Sequence, residues 1–212
     1  MKSAILKKRT IAARFNFDIT KQQAADMLLG AYMAEVEYRQ RSFISDEAIM
    51  GHINWLAEVI TNPTHKFGIM FAGTCGNGKT TLLYALRSMT WYLAKRGVFT
   101  ENPESRLLVI TARELIETAK NYQAFNKLKE EPFLAIDDVG VEASEVMSYG
   151  NVLNPINELL EQRYNQQLFT AITTNIQPKD FRDRYGVRLA DRFNEIMDVR
   201  AFEEKSYRTK SA

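Results

Sequence analysis

Cysteine is almost missing from this chain: Cys75 is the only one in 212 residues. An internal disulfide is therefore excluded, and so is any cysteine-rich zinc site. Long apolar runs are missing as well. The longest cover only a few residues, against the roughly 20 that a membrane-crossing helix needs, so no membrane partner is expected. The N-terminus is basic but lacks the apolar core of a secretion signal, and these absences together predict a cytoplasmic protein. There is no internal repeat and no low-complexity tract. Nor is there a large excess of one charge: 28 Lys and Arg against 26 Asp and Glu leave a net +2, so the chain as a whole is not a polycation. The balance is uneven only locally. Residues 1–14 hold Lys2, Lys7, Lys8, Arg9 and Arg14 and no acid. That stretch is either a solvated tail or a contact for nucleic-acid phosphates or an acidic partner.

What is present is ordinary for a globular chain, with 45% apolar and 25% charged residues, and the length suits one domain with a short appendage. Thr20 followed by Gln23 has the form of a capping box, and Ala24, Met27, Leu28 and Ala31 follow at helical spacing. A second helix is expected from Ser45 or Asp46, where Ile49, Ile53, Leu56 and Ile60 form one apolar stripe. Asn62-Pro63 ends it. Residues 1–65 therefore read as a small helical region, a candidate for partner binding, ahead of a main domain over 66–212.

From Phe67 the pattern alternates. A strand over 67–72 precedes a glycine-rich loop and a helix over 79–96 that Gly97 stops. A loop over 97–105 leads to a strand over 107–110, then to one helix over 112–129 that Glu131-Pro132 breaks. A strand over 133–136 follows, then a helix over 154–165 with Asn154 as N-cap and Pro155 at the first helical position. A strand over 168–173 and two short helices, 178–184 and 188–196, complete the series. Strands alternating with helices predict an α/β fold with a parallel sheet covered on both faces.

The glycine-rich loop is Gly73-Thr74-Cys75-Gly76-Asn77-Gly78-Lys79-Thr80, an unbroken G-x-x-x-x-G-K-[ST] with a strand before it and a helix after. Its glycines let several backbone N–H groups converge on one point, and the helix N-terminus adds positive potential there. Gly73 through Thr81 would hold ATP. Lys79 would reach the β- and γ-phosphates, and the Thr80 hydroxyl would bind Mg2+. Cys75 reads as loop filler. The same loop occurs in small kinases and GTPases, so alone it indicates nucleotide binding and little more.

Three further elements narrow the chemistry. Phe133-Leu134-Ala135-Ile136-Asp137-Asp138 places two acids at the end of an apolar strand, as in a Walker B motif. Asp137 would hold the magnesium, and Asp138 stands where a carboxylate could orient and deprotonate water; the plain reading is an acidic turn after a buried strand. Asn175, after Thr173-Thr174, would sit beside the γ-phosphate if its strand neighbours the P-loop strand; otherwise it is a common turn residue. Arg188 and Arg192 share one helix face at i, i+4. They are either two solvated side chains or a source of the arginine that a neighbouring subunit lends to the γ-phosphate.

With these residues in place the chain resembles the AAA+ ATPases of the DnaC/DnaI helicase-loader and IstB transposition-helper branch, over about residues 67–208. The resemblance rests on Ile136-Asp137-Asp138-Val139-Gly140-Val141-Glu142, on Glu161-Gln162-Arg163-Tyr164, on Thr173-Thr174-Asn175 and on Ser206-Tyr207-Arg208. Threonine at 174 stands where serine is usual, and Asp138 stands where AAA+ proteins more often have glutamate, one methylene longer. The resemblance implies a P-loop NTPase of AAA+ type without a C-terminal lid domain. It implies Asn175 as a sensor, Arg192 as the arginine finger with Arg188 as a nearby secondary contact, and a homo-oligomer formed on ATP and DNA. Its partners would be a replicative helicase and single-stranded DNA, or, in an IstB-like protein, a transposase and duplex DNA. A third outcome is a nucleotide-dependent binding module that hardly turns over. For a helicase loader, the stretch 112–129 would face single-stranded DNA with Arg113, Lys120, Lys127 and Lys129, and with Tyr122 and Phe125 for stacking; the plain reading is an amphipathic surface helix. The short N-terminal region, with no cysteine, departs from relatives that carry zinc there.

Overall fold

The computed structural model describes residues 17–96, 106–142, 146–148, 151–204 and 206–207. The basic stretch 1–14, the loop 97–105 and Arg208 lie outside them. Two N-terminal helices come first, α1 (Lys21–Tyr38) and α2 (Glu47–Thr61). Thr20 and Gln23 form the full capping box of α1, and the Asp46 side chain caps α2 by accepting from the Ile49 N–H. Then follow β1 (Gly68–Gly73), α3 (Lys79–Lys95), β2 (Leu108–Thr111), α4 (Ala112–Ala119), α5 (Tyr122–Glu130) and β3 (Phe133–Val139). A small antiparallel pair, β4 (Val146–Ser148) and β5 (Asn151–Leu153), precedes α6 (Pro155–Gln166), β6 (Phe169–Thr174), α7 (Pro178–Tyr185), α8 (Val187–Ile196) and β7 (Met197–Phe202).

Five strands form one parallel sheet in the order β2-β3-β6-β1-β7. The strand that follows β3 in the sheet, β6, is thus inserted between β3 and the P-loop strand β1. Alternation of side chains across a strand divides β1 between two cores. Ile69 and Phe71 join the core beneath α1, α2 and α3, whereas Met70 and Ala72 join the one beneath α4 to α8. Both faces of the central strands are therefore buried, which explains why β1 and β6 read as nearly continuous apolar runs. The N-terminal helices share their core with α3: Leu28 and Ile53 are fully buried in the same cluster as Leu83 and Phe71.

Three features differ from expectation. The helix expected over 112–129 is two helices, because Asn121 accepts from the Ala124 N–H and caps a new start; a side chain that can bond its own backbone competes with the helix interior. The edge strand β7 was not expected. Only Met197 and Phe202 are buried along it while Val199 is half exposed, so its period-2 signal is diluted by Asp198 and Arg200. The pair β4–β5 was also not expected.

Candidate nucleotide site

The P-loop is built from both sides of the sheet. β1 delivers Gly73 beside the end of β7, so closely that a Cβ there would stand 2.1 Å from the Phe202 carbonyl oxygen. Asn77 is fully buried and donates from Nδ2 to that same oxygen at 2.7 Å, while its Oδ1 accepts from Lys79 Nζ at 3.1 Å. Lys79 is folded onto the loop and also donates to the carbonyls of Gly73 and Thr74 at 2.8 and 2.6 Å. Gly78 caps α3 in the left-handed region (φ 98°) and provides no side-chain hydrogen bond. A Cβ at Gly78 would stand 2.6 Å from the Tyr32 hydroxyl of α1. A 17-residue helix thus presents its first N–H groups uncapped toward the loop, the arrangement that suits an anion.

The second half of the site is a hydroxyl cluster around Asp137. Thr80 Oγ1 donates to Asp137 Oδ1 at 3.0 Å, and Thr173 Oγ1 donates to the same oxygen at 2.6 Å. Burial pushes the Asp137 carboxyl up from its ordinary value. The Thr173 and Thr80 hydroxyls oppose that rise, the neighbouring Asp138 charge adds to it and the Arg39 guanidinium opposes it. A buried carboxylate beside a threonine hydroxyl is a pair of oxygen ligands in want of positive charge, which fits Mg2+. That ion commonly takes only one or two protein carboxylates besides phosphates and water. Thr173 also accepts from the Asp138 N–H at 2.8 Å. This holds Asp138 at φ 58°, an uncommon conformation for a residue with a side chain. Behind it Glu142, 6% exposed, accepts from the Tyr185 hydroxyl and from the Gly140 N–H and faces Arg184. The glutamate of the Asp-Asp-x-Gly-x-Glu element thus anchors the turn that follows Asp138.

Asn175 follows β6, whose Thr174 is in register with Ala72 of β1. The adjacency that its expected position requires is therefore present. Its Oδ1 is buried and finds no hydrogen-bond partner among the described residues. A cavity of about 560 Å³ joins these groups, lined by Gly76 to Thr81, Asp138 and Asn175, a volume suited to a nucleotide-sized ligand. Its remaining wall comes from residues that no phosphate-binding motif of the sequence includes. Tyr32, Arg39, Phe43 and Ile49 come from the N-terminal region, and Tyr207 comes from beyond β7. Tyr207 donates its N–H to the Gly76 carbonyl at 2.9 Å and its hydroxyl to Asp46 at 2.7 Å.

The two arginines of α8 lie away from this cavity. Arg192 stands 3.2 Å from Glu161 and over the Tyr164 ring at 4.7 Å, its side chain 16% exposed. Arg188 is 74% exposed and 3.7 Å from the same carboxylate. Arg163, by contrast, is buried and donates to Thr170 Oγ1 and to the carbonyls of Lys129, Glu131 and Phe169, so it ties α6 to β6 and to the turn before β3. Among the residues expected to face DNA, Phe125 is 4% exposed and belongs to the core, which removes it as a stacking platform. Lys129 is buried against Glu158 at 2.7 Å. Tyr122, Arg113 and Lys127 are exposed.

No protein-family model matches the chain. The replicative helicase loader DnaI of Bacillus subtilis (strain 168) is 23% identical over 187 residues, which are 85% of this chain and 55% of that protein. The chain thus spans about half the length of this curated relative. A crystal structure of DnaI superposes with a TM-score of 0.55 at 20% identity, over 83% of this chain and 93% of that one. AMPPCP-bound DnaA from Aquifex aeolicus gives 0.53 at 20% identity, over 77% of this chain and 49% of that one. The fold is that of an AAA+ P-loop NTPase, and the chain is similar to helicase loaders of the DnaC/DnaI kind. Among the described residues no helix is long and apolar enough to cross a membrane.

Proposed function

We propose that this chain is a magnesium-dependent ATPase that loads a replicative helicase, acting as an ATP-assembled oligomer on single-stranded DNA. The observation that carries the reading is that one cavity is lined by the uncapped start of the P-loop helix, Thr80, Asp138 and Asn175, with Thr80 donating to the buried Asp137 behind it and the Asn175 Oδ1 without a hydrogen-bond partner among the described residues. The similarity to DnaI supports the helicase as partner, and the analogue held by the DnaA neighbour supports an adenine nucleotide.

In this reading Lys79 leaves the loop carbonyls and takes the β- and γ-phosphate oxygens. Thr80 and Asp137 would hold a Mg2+, which when bound would supply positive charge against the phosphates. Asp138 orients a water molecule against the γ-phosphorus and takes its proton as the bond to the β,γ-bridging oxygen breaks. Asn175 Oδ1 accepts the second hydrogen of that water. Arg192 of a neighbouring subunit completes the charge balance once it is released from Glu161 and Tyr164. Residues 1–65 supply the partner-binding region, and Arg113, Lys127 and Tyr122 offer cations and one aromatic to a single strand.

The test combines nucleotide binding with capture of partners. Lys79→Ala should lose ATP binding, since Lys79 is the charge that would grip the phosphates. The wild-type chain with ATP should copurify with the replicative helicase from its own cells. Unchanged ATP affinity in Lys79→Ala refutes the nucleotide site, and a transposase in place of the helicase refutes the partner.

A further inference from the structure

The wall of the nucleotide cavity contains a cation that no phosphate-binding motif of the sequence includes. Arg39 is the C-cap residue of α1, in the N-terminal helical region, and it lines the same cavity as the P-loop. Its guanidinium donates from Nη1 to Thr81 Oγ1 at 2.5 Å and lies 5.9 Å from the centre of the Tyr84 ring. Both partners belong to α3. Thr81 is the third residue of that helix, within the uncapped first turn whose N–H groups face the phosphate position. Arg39 is half-buried, and among the described residues no carboxylate stands within ion-pair distance of it.

A half-buried guanidinium with a neutral hydroxyl for a partner is poorly compensated, because charge taken out of water is costly unless it is paired. The helix terminus beside it already carries about half a positive charge, so the local field is positive twice over. An anion placed there would relieve both. Phosphate is an anion that the planar fork of an arginine matches bidentately, and the cavity is lined by this end of α3 together with Arg39.

We propose that Arg39 is a cis phosphate-binding residue: on nucleotide binding its guanidinium passes from Thr81 to a phosphate oxygen, so that α1 closes on the nucleotide. The proposal rests on the nucleotide-site reading above and adds to it a direct link between the N-terminal helices and the bound phosphates. Tyr32, one α1 turn and more before Arg39, already stands over Gly78. The helix that carries Arg39 is therefore seated on the loop without it, and Arg39 is not required merely to hold α1 in place.

The experiment titrates the full chain with fluorescent ATP, ADP and AMP in the presence of Mg2+, for wild type, Arg39→Ala and Arg39→Lys. It adds hydrogen exchange over residues 33–41 and thermal unfolding without nucleotide. Arg39→Ala should weaken nucleotide binding by about 10- to 100-fold, and Arg39→Lys should recover part of that loss. Loss for AMP as well as ADP and ATP marks the α-phosphate as the contact; loss for ADP and ATP alone marks the β-phosphate. Nucleotide should slow exchange over 33–41 in wild type and not in Arg39→Ala. Equal affinities of wild type and Arg39→Ala overturn the proposal. So does a weakened affinity with nucleotide-dependent protection retained and the nucleotide-free melting temperature lowered, which would make Arg39 a structural pin. A wild-type chain that binds no nucleotide defeats the underlying site reading instead, an outcome distinct from either.

Discussion

Asp137→Asn is expected to make the nucleotide-free protein more stable while removing its response to Mg·ATP. The carboxylate is 4% exposed and accepts two hydroxyl hydrogen bonds through one oxygen. Bonds to a charged acceptor exceed neutral ones by roughly 1 kcal/mol each, so neutralising the group forfeits about 2 kcal/mol. Against this stands the desolvation of a buried charge, several kcal/mol per ion. The direction of the pKa decides between them. Burial outweighs the Thr173 and Thr80 hydroxyls and lifts the group above its ordinary value, so the folded state disfavours the charged form. A raised acid pKa contributes stability below the unfolded value and loses it as pH rises through the folded one, so the ionised carboxylate costs stability at neutral pH. The isosteric amide should therefore raise the nucleotide-free melting temperature, by roughly 2–4 °C for each kcal/mol gained. Thermal unfolding in EDTA reads this directly. Repeating it with Mg·ATP at about 100 times Kd should add roughly 2.7 kcal/mol of stability to wild type and far less to the variant. A lower nucleotide-free melting temperature in Asp137→Asn, with the Mg·ATP response intact, would show that burial does not disfavour the carboxylate and that Asp137 does not hold the metal.

Other consequences concern distant parts of the molecule. Arg163→Met should destabilise by about 3–5 kcal/mol, since three backbone carbonyls lose their donor, and chemical denaturation measures the shift in midpoint. His52 is buried between Arg200, which donates to its Nδ1, and Glu204 on its Nε2. Burial lowers its pKa, with Glu204 and Asp46 opposing and Arg200 adding to the effect. A depressed histidine contributes stability that is present above its unfolded value and lost as pH falls below about 6.5. Wild type minus His52→Gln should therefore shrink in melting temperature from pH 7.5 to pH 5.5, and a constant difference would show that His52 does not titrate in this window. Arg192→Ala should abolish ATP hydrolysis while leaving monomer binding of ATP unchanged. If Arg188→Ala abolishes it and Arg192→Ala does not, the exposed Arg188 rather than Arg192 crosses to the neighbour.

The legibility of the fold follows the range over which each signal acts. The Thr20 cap, the glycine-rich turn and the Asn154-Pro155 start are contacts between residues two to four apart and are readable in place, while the start of α2 is readable only as Ser45 or Asp46. The strands β1, β3 and β6 were legible because burial on both faces leaves an apolar run bounded by polar turns. β7 was not, because an edge strand with one covered face has no such run. The split between α4 and α5 was missed because Asn121 interrupts an amphipathic pattern that continues on its far side. Within the site, the P-loop and the aspartate pair form continuous stretches and could be located outright. Asn175 could be placed only on the condition that β6 lies beside β1.

The chain by itself determined a strand–loop–helix that turns N–H groups toward an anion, and a second strand ending in two acids, because local backbone geometry requires only neighbouring residues. Tertiary structure decided what those pieces face. A parallel crossover order is not written in any local spacing, and that order is what sets Thr174, the residue before Asn175, beside Ala72 and Thr173 against Asp137. Packing of the N-terminal helices onto α3 brings Tyr32 and Arg39 over the loop, and burial ties Arg163 to carbonyls from two segments while leaving Arg188 in solvent. Such contacts depend on how whole elements bury their apolar faces against one another, a property that no short stretch of sequence contains.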